Sequence, residues 1–342
     1  MQVDSTPKAI LYCWPTSVLS TIPRLCLHEK NYGDDEYVLH HVDITKGDNF
    51  SLPYLRLTIP LATVPTLAVP VADTPNTPSN TPSSDDDPKY RYLCDTASIC
   101  AFIDDCKPPT WSPGSTSKPV PVLFPVIARE KELTDLLVAL VRDPYVDPNF
   151  LDLAARDAQE LAMKLSGTQG TMLATRRLAL KRYVHMAHDD LALLSPVPAL
   201  KSWEQQAVNL LEDKAAANQA LFDIYSGDLA LDRQPEFFEV SRAAWTVHVS
   251  GTLSKLEQSM VGPFALGDNL SIADCYIIAW LTRVVSLCQG NPGPSGIQAL
   301  EPNLGGHRIG AKLVAFWQHW VQRKSFRKVF TSAFWPELPL PR

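Results

Sequence analysis

Two serines one helical turn apart, Ser17 and Ser20, stand where the short apolar run Ala9–Trp14 gives way to the helically spaced stretch Ser17–Lys30. A hydroxyl at the start of a helix can donate to an anion, and the helix dipole favours negative charge at the same place. For a thiol, whose free pKa is about 8.5, that combination stabilises the thiolate, the form that attacks. Arg24 lies on the same helix. Further along, Val64-Pro65 is flanked by Thr66 and Leu67. An X–Pro bond reaches the cis form at little cost, and a cis step here, which we expect, turns the Val64 backbone outward. Asp95-Thr96 sits at a strand-to-helix turn, where a carboxylate suits an ammonium and a hydroxyl beside helix amides suits a carboxylate. Ser271 followed by Asp274, just before the run Cys275–Trp280, is a capping box that opens a helix.

Other reactive residues read as structural. Cys13-Trp14-Pro15-Thr16 has the outline of a redox pair, but Cys13 falls within a strand and is expected to be a buried thiol. His185 and His188 have helical spacing without a third ligand, so no metal is expected. His40-His41 alternates in a strand, Cys94, Cys100 and Cys106 offer no ligand pair, and the tryptophans from Trp203 to Trp335 read mostly as core.

The elements that must position these residues follow from periodicity. Ala9–Trp14, Tyr37–Ile44, Pro65–Ala72 and Tyr90–Cys94 read as strands, and Ser17–Lys30 and Thr96–Cys106 as helices. The order βαβ then ββα predicts a thioredoxin-like domain. Between the third and fourth strands, residues 73–88 are only Asp, Thr, Pro, Asn and Ser, a composition that predicts a disordered insertion. From Val126 onward the pattern is helical, with expected helices at Ala128–Val141, Asn149–Leu165, Met172–Leu193, Ser202–Tyr225, Glu236–Met260, Ser271–Leu287 and Gly310–Gln322. The expectation is an α/β thioredoxin-like N-terminal domain followed by an all-α C-terminal domain.

The chain has 342 residues, 45% hydrophobic and 20% charged, enough for two domains. A formal net charge of −6 without a dense basic cluster gives no reason to expect nucleic acid. No window of 18 apolar residues predicts a membrane span. The N-terminus lacks the build of a signal peptide, and seven scattered cysteines fit reduced thiols in the cytoplasm.

In their order along the chain, Ser17 and Ser20, Val64-Pro65, Asp95-Thr96 and the Ser271–Asp274 box resemble the glutathione transferase superfamily over most of the sequence. Leu27-His28-Glu29-Lys30-Asn31 is similar to the end of the first helix in several plant and fungal classes. The resemblance implies a Ser-type member, divergent or fungal-like, with a glutathione-binding domain at 8–107 (insertion at 73–89), a linker at 108–122 and an all-α domain at 123–335. That second domain is larger than the family's usual one, with inserted helices at about 143–232. The implied activity is conjugation or transfer of glutathione, the co-substrate, to hydrophobic electrophilic small molecules, as in detoxification. Ser17 then holds the thiolate with Ser20 as the second donor, and Val64, Pro65, Asp95, Thr96, Lys46 and Arg24 bind glutathione. Lys46 and Arg24 stand in for the cationic groups that the family places after its second strand. The family's Asn-Pro-x-Gly-x-Val-Pro is here Ile59-Pro-Leu-Ala62-Thr-Val-Pro. A homodimer without membrane or nucleic-acid partners is implied. The alternative is a non-catalytic ligand- or protein-binding module. The double-Ser turn and the enlarged helical region also resemble ganglioside-induced differentiation-associated proteins, although no terminal anchor is expected.

Overall fold

A computed structural model describes residues 7–71, 90–108, 120–193, 201–227 and 233–335. The insertion expected at 73–89 and most of the 108–122 linker lie outside the described residues. Four strands form one sheet in the order β2-β1-β3-β4: β1 Ala9–Cys13, β2 Tyr37–His41, β3 Thr66–Pro70 and β4 Tyr90–Leu93. β1 and β2 run parallel, with Leu11 opposite Leu39, and α1, Val18–Glu29, makes the crossover between them. β3 is antiparallel to both β1 and β4, with Leu67 opposite Leu11 and Leu93. α2, Leu52–Thr58, precedes β3, and α3, Thr96–Cys106, follows β4. This is the thioredoxin-like arrangement. α2 was not evident in the sequence, being seven residues long with Pro53 in its first turn, where a missing N–H costs nothing.

The remainder is all-α. α4 is Ala128–Val141, α5 Pro148–Leu153, α6 Ala158–Ser166, α7 Thr168–Leu193 and α8 Lys201–Ser226. α9, Gln234–Ala243, continues through one π-helical turn into α10, Ser250–Ser259. α11 is Ile272–Leu287, α12 Ala311–Val321 and α13 Lys324–Val329. The single helix expected at Asn149–Leu165 is two. Asp157 restarts it, accepting from the Glu160 N–H at 2.8 Å, while the Glu160 carboxylate accepts from the Arg156 N–H at 2.8 Å.

The two layers share one core. α1, α3 and α11 meet at a seam where the thiols of Cys26, Cys100 and Cys275 pack together, and the apolar cluster continues into Trp280, Trp317 and Trp320. Trp245 and Trp335 are likewise core residues. Glu29, at the end of α1, takes a bidentate pair from Arg323 and a hydrogen bond from the Ser325 hydroxyl, tying α13 to the first domain.

The Ser271–Asp274 capping box forms. The Asp274 carboxylate is fully buried and accepts from the Ser271 hydroxyl at 2.6 Å, the Ala265 N–H at 2.7 Å and the Ser271 N–H at 2.8 Å. Burial outweighs those bonds and pushes its pKa from 3.8 to about 6. The folded state therefore holds this proton more tightly than the unfolded chain. Its contribution to stability is complete below about pH 3.8 and is lost as pH rises to about 6, at up to roughly 1.4 kcal/mol per pH unit. Urea unfolding of the wild type and Asp274→Asn across this range measures it: the stability difference between them should shift only inside that window.

Candidate functional site

The site is built at the N-terminus of α1. Ser17 has extended backbone angles (φ −73°, ψ 118°) and its side chain caps the helix, accepting from the Ser20 N–H at 3.3 Å. One lone pair of the oxygen is thus occupied, and the hydroxyl hydrogen remains free to donate. Ser17 opens on a cleft of about 410 Å³. Its first-domain wall includes Thr16, Val18, Leu19, Ile44, Thr45, Asn49, Thr63 and Val64. The Val64–Pro65 bond is cis, as expected from its neighbours, and Ile59–Pro60 is cis as well. Ala62, where the resembled family has Gly, adopts φ +52°, a left-handed conformation that Gly enters more readily. Asn49 holds that turn, its Nδ2 donating to the Ala62 carbonyl at 2.9 Å.

The opposite wall comes from the helical domain. Val141, Pro148, Leu153 and Met172 are its apolar members; Arg142, Asp143, Asp147, Asn149, Asp152, Arg176 and Arg283 give it a strongly polar character. The acids are engaged: Asp143 and Asp147 cap the N–H groups of Tyr145 and Asn149, and Asp152 pairs with Arg283 at 2.9 Å. Arg176 makes no ion pair among the described residues. Its guanidinium lies 5.4 Å from the Phe50 ring centroid, and burial pushes its pKa down from the ordinary value.

Arg176 reaches this position because the long pair α7 and α8 docks on the first domain. Ala179, Leu180, Tyr183, Ala207, Val208 and Leu211 form one apolar cluster with Phe50, Leu52 and Leu55. Gly47 permits the approach: its φ is +81°, and a Cβ there would lie 3.1 Å from the Ala179 Cβ.

The structure brings Ser17 and Val64 together at the cleft and places the other sequence-identified residues elsewhere. Ser20 is fully buried, and its hydroxyl accepts from the Trp14 N–H at 3.3 Å. Arg24 lies two turns along α1 beside Cys13 and Tyr37, and burial lowers its pKa. Lys46 is exposed and pairs with Asp43 at 3.0 Å. Pro65 is buried behind Val64. Asp95 caps α3, accepting from the Ser98 N–H at 2.8 Å, with Thr96 buried beside it. Burial works against the Asp95 charge, and the hydrogen bonds from Ser98 outweigh it, holding the carboxyl below its usual range. Arg176 was not singled out from the sequence, because nothing around it marks where α7 docks. Cys13 is buried and its pKa is pushed up to about 11, so it is no ready nucleophile. His185 and His188 make exposed pairs with Asp189 and Glu212. No helix among the described residues is long and apolar enough to cross a membrane.

No protein-family model matches the sequence, and no curated protein matches it. Solved structures do align with it. Glutathione transferase Omega 2C from Trametes versicolor is 15% identical with a TM-score of 0.48, covering 96% of this chain and 96% of that one. Human glutathione-S-transferase T1-1 is 16% identical with a TM-score of 0.47, covering 96% and 89%. A maleyl pyruvate isomerase described as a bacterial Zeta-class glutathione-S-transferase is 15% identical with a TM-score of 0.46, covering 95% and 97%. These likenesses are coarse. The strand order, the crossover by α1 and the succeeding all-α domain stand on this chain's own topology. The fold is a thioredoxin-like domain followed by an all-α domain.

Proposed function

We propose that this chain is a glutathione transferase-like enzyme, with glutathione as co-substrate and an electrophilic small molecule with an apolar portion as acceptor. The observation that carries the reading is the Ser17 hydroxyl at the N-terminus of α1, open to the cleft, with its acceptor side already occupied by the Ser20 N–H. Ser17 would donate to the thiolate, and the first turn of α1 would add its dipole. A hydrogen bond to a charged group contributes about 1.5–3 kcal/mol, which would lower the thiol pKa by roughly 1–2 units. The Val64 backbone edge would align the cysteinyl part. Val18, Leu19, Leu153 and Met172 would seat the apolar portion of the acceptor. The sulfur would then add to, or displace a leaving group from, the electrophilic carbon.

A non-catalytic ligand-binding module is the second reading, favoured by the positions of Ser20, Arg24, Lys46, Asp95 and Thr96 away from the cleft lining. Retention on immobilised glutathione, followed by conjugation assays on a panel of electrophiles, separates the two. Retention with turnover supports the enzyme, retention without turnover on any electrophile supports the module, and no retention defeats the enzyme. A cytoplasmic setting and a homodimer belong to the same proposal, the latter tested by light scattering.

A further inference from the structure

A second cavity, of about 340 Å³, lies in the helical domain and shares no lining residue with the Ser17 cleft. Its floor is apolar. Val321 at the end of α12, Phe326 on α13 and Phe330 just after it are all buried there, with the two rings 4.7 Å apart. Pro292 and Pro294, from the loop that follows α11, line it as well. That loop is fixed without any ligand. The Trp317 indole donates to the Gly293 carbonyl at 2.8 Å, the Asn291 side chain accepts from the Gly293 N–H at 2.8 Å, and each proline has its φ locked. Binding there orders no chain, which removes one of the usual costs of association.

Two polar side chains, Gln322 and Arg327, complete the lining, and both reach solvent. Of the nearby cations, Arg323 is paired with Glu29 and Lys328 with Asp34, whereas Arg327 makes no ion pair among the described residues. Its Nε donates to the Val321 carbonyl at 3.4 Å, which leaves the two terminal nitrogens of the guanidinium for another partner. A planar fork of N–H donors matches the two oxygens of a carboxylate, and Gln322 adds an amide to the same lining.

We propose that this cavity is a second ligand site, which takes a one- or two-ring aromatic carboxylate, its rings on the prolines and phenylalanines and its charge on Arg327. The volume is at the lower end of those that hold small molecules, which sets the size. The unpaired guanidinium sets the sign of the charge. No hydroxyl, thiol, carboxylate or imidazole is among the described residues that line the cavity, so the molecule is held there and not transformed. The site is independent of the glutathione reading, since neither its residues nor its test involves the Ser17 cleft.

Isothermal titration calorimetry of the full chain with 2-naphthoate and with its neutral isostere, 2-naphthamide, tests this. The wild type should bind the carboxylate about 10-fold more tightly than the amide, near the lower end for a charge-assisted hydrogen bond because Arg327 reaches solvent. Arg327→Met should abolish that preference by weakening the carboxylate alone, and Arg327→Lys, which keeps the charge without the fork, should retain part of it. Pro294→Trp fills the mouth of the cavity from an exposed position and should weaken both probes. The proposal is overturned if neither probe binds the wild type, if the two bind equally, if the preference survives Arg327→Met, or if Pro294→Trp leaves both affinities unchanged.

Discussion

Ser17→Ala is expected to lower kcat/KM for conjugation about 100-fold, with the dissociation constant for glutathione changed much less. The hydroxyl accepts from the Ser20 N–H at 3.3 Å and keeps its hydrogen for the sulfur. Losing one donor to a developing or full anion costs about 3 kcal/mol, which is two orders of magnitude in rate. The thiol would remain held by the rest of the cleft, so binding would survive while reactivity falls. Ser20→Ala provides the contrast. Its hydroxyl is buried and accepts from the Trp14 N–H, so that variant should lose about 1 kcal/mol of stability and keep its reactivity. Equal losses of kcat/KM in the two variants would show that the α1 turn matters for folding and not for the thiolate.

Asp104→Ala is expected to destabilise the protein by about 3–5 kcal/mol in denaturant unfolding. Lys30 is fully buried and its ammonium lies 2.7 Å from the Asp104 carboxylate and 2.9 Å from the Pro121 carbonyl. The same carboxylate accepts from the N–H groups of Leu123 and Phe124 at 3.2 Å, which fastens the chain entering the helical domain to α1 and α3. Removing it strands a buried positive charge and two buried donors at once. Combining Asp104→Ala with Lys30→Met removes the stranded charge and should recover part of the loss, leaving the orphaned Leu123 and Phe124 N–H groups and the Pro121 carbonyl that Lys30 had bonded. A loss below about 1 kcal/mol for Asp104→Ala, or no recovery in the double variant, would mean that water reaches the pair and that it does not join the domains.

The sequence was most legible where local chemistry decides the structure. Ser17, Asp95 and Ser271 each cap the helix that their position announced, because a cap is made by residues within one turn of each other. The strand and helix order of the first domain followed from periodicity for the same reason. Short elements escaped: α2 and α13 hold too few residues for an amphipathic pattern to stand out. The break between α5 and α6 turned on Asp157 and Glu160, a local signal that was present and was overridden by the continuing apolar pattern. What sequence could not supply was the long-range part of the site. Arg176 reaches the cleft only because α7 lies over Gly47 and Phe50, and Lys30 meets Asp104 only because α1 packs on α3. Conversely, Arg24 and Lys46 carry the right charge at suitable spacings, yet one points into the first domain and the other into solvent.

The central claim concerns a thiolate held at the start of α1, and a spectrophotometric titration of the glutathione thiol in its complex with the wild-type protein tests it most directly. The account predicts that the bound thiol ionises about 1–2 units below the free value of about 8.5, and that Ser17→Ala returns it towards that value. A bound thiol that titrates as it does free in solution, unchanged by Ser17→Ala, would contradict it.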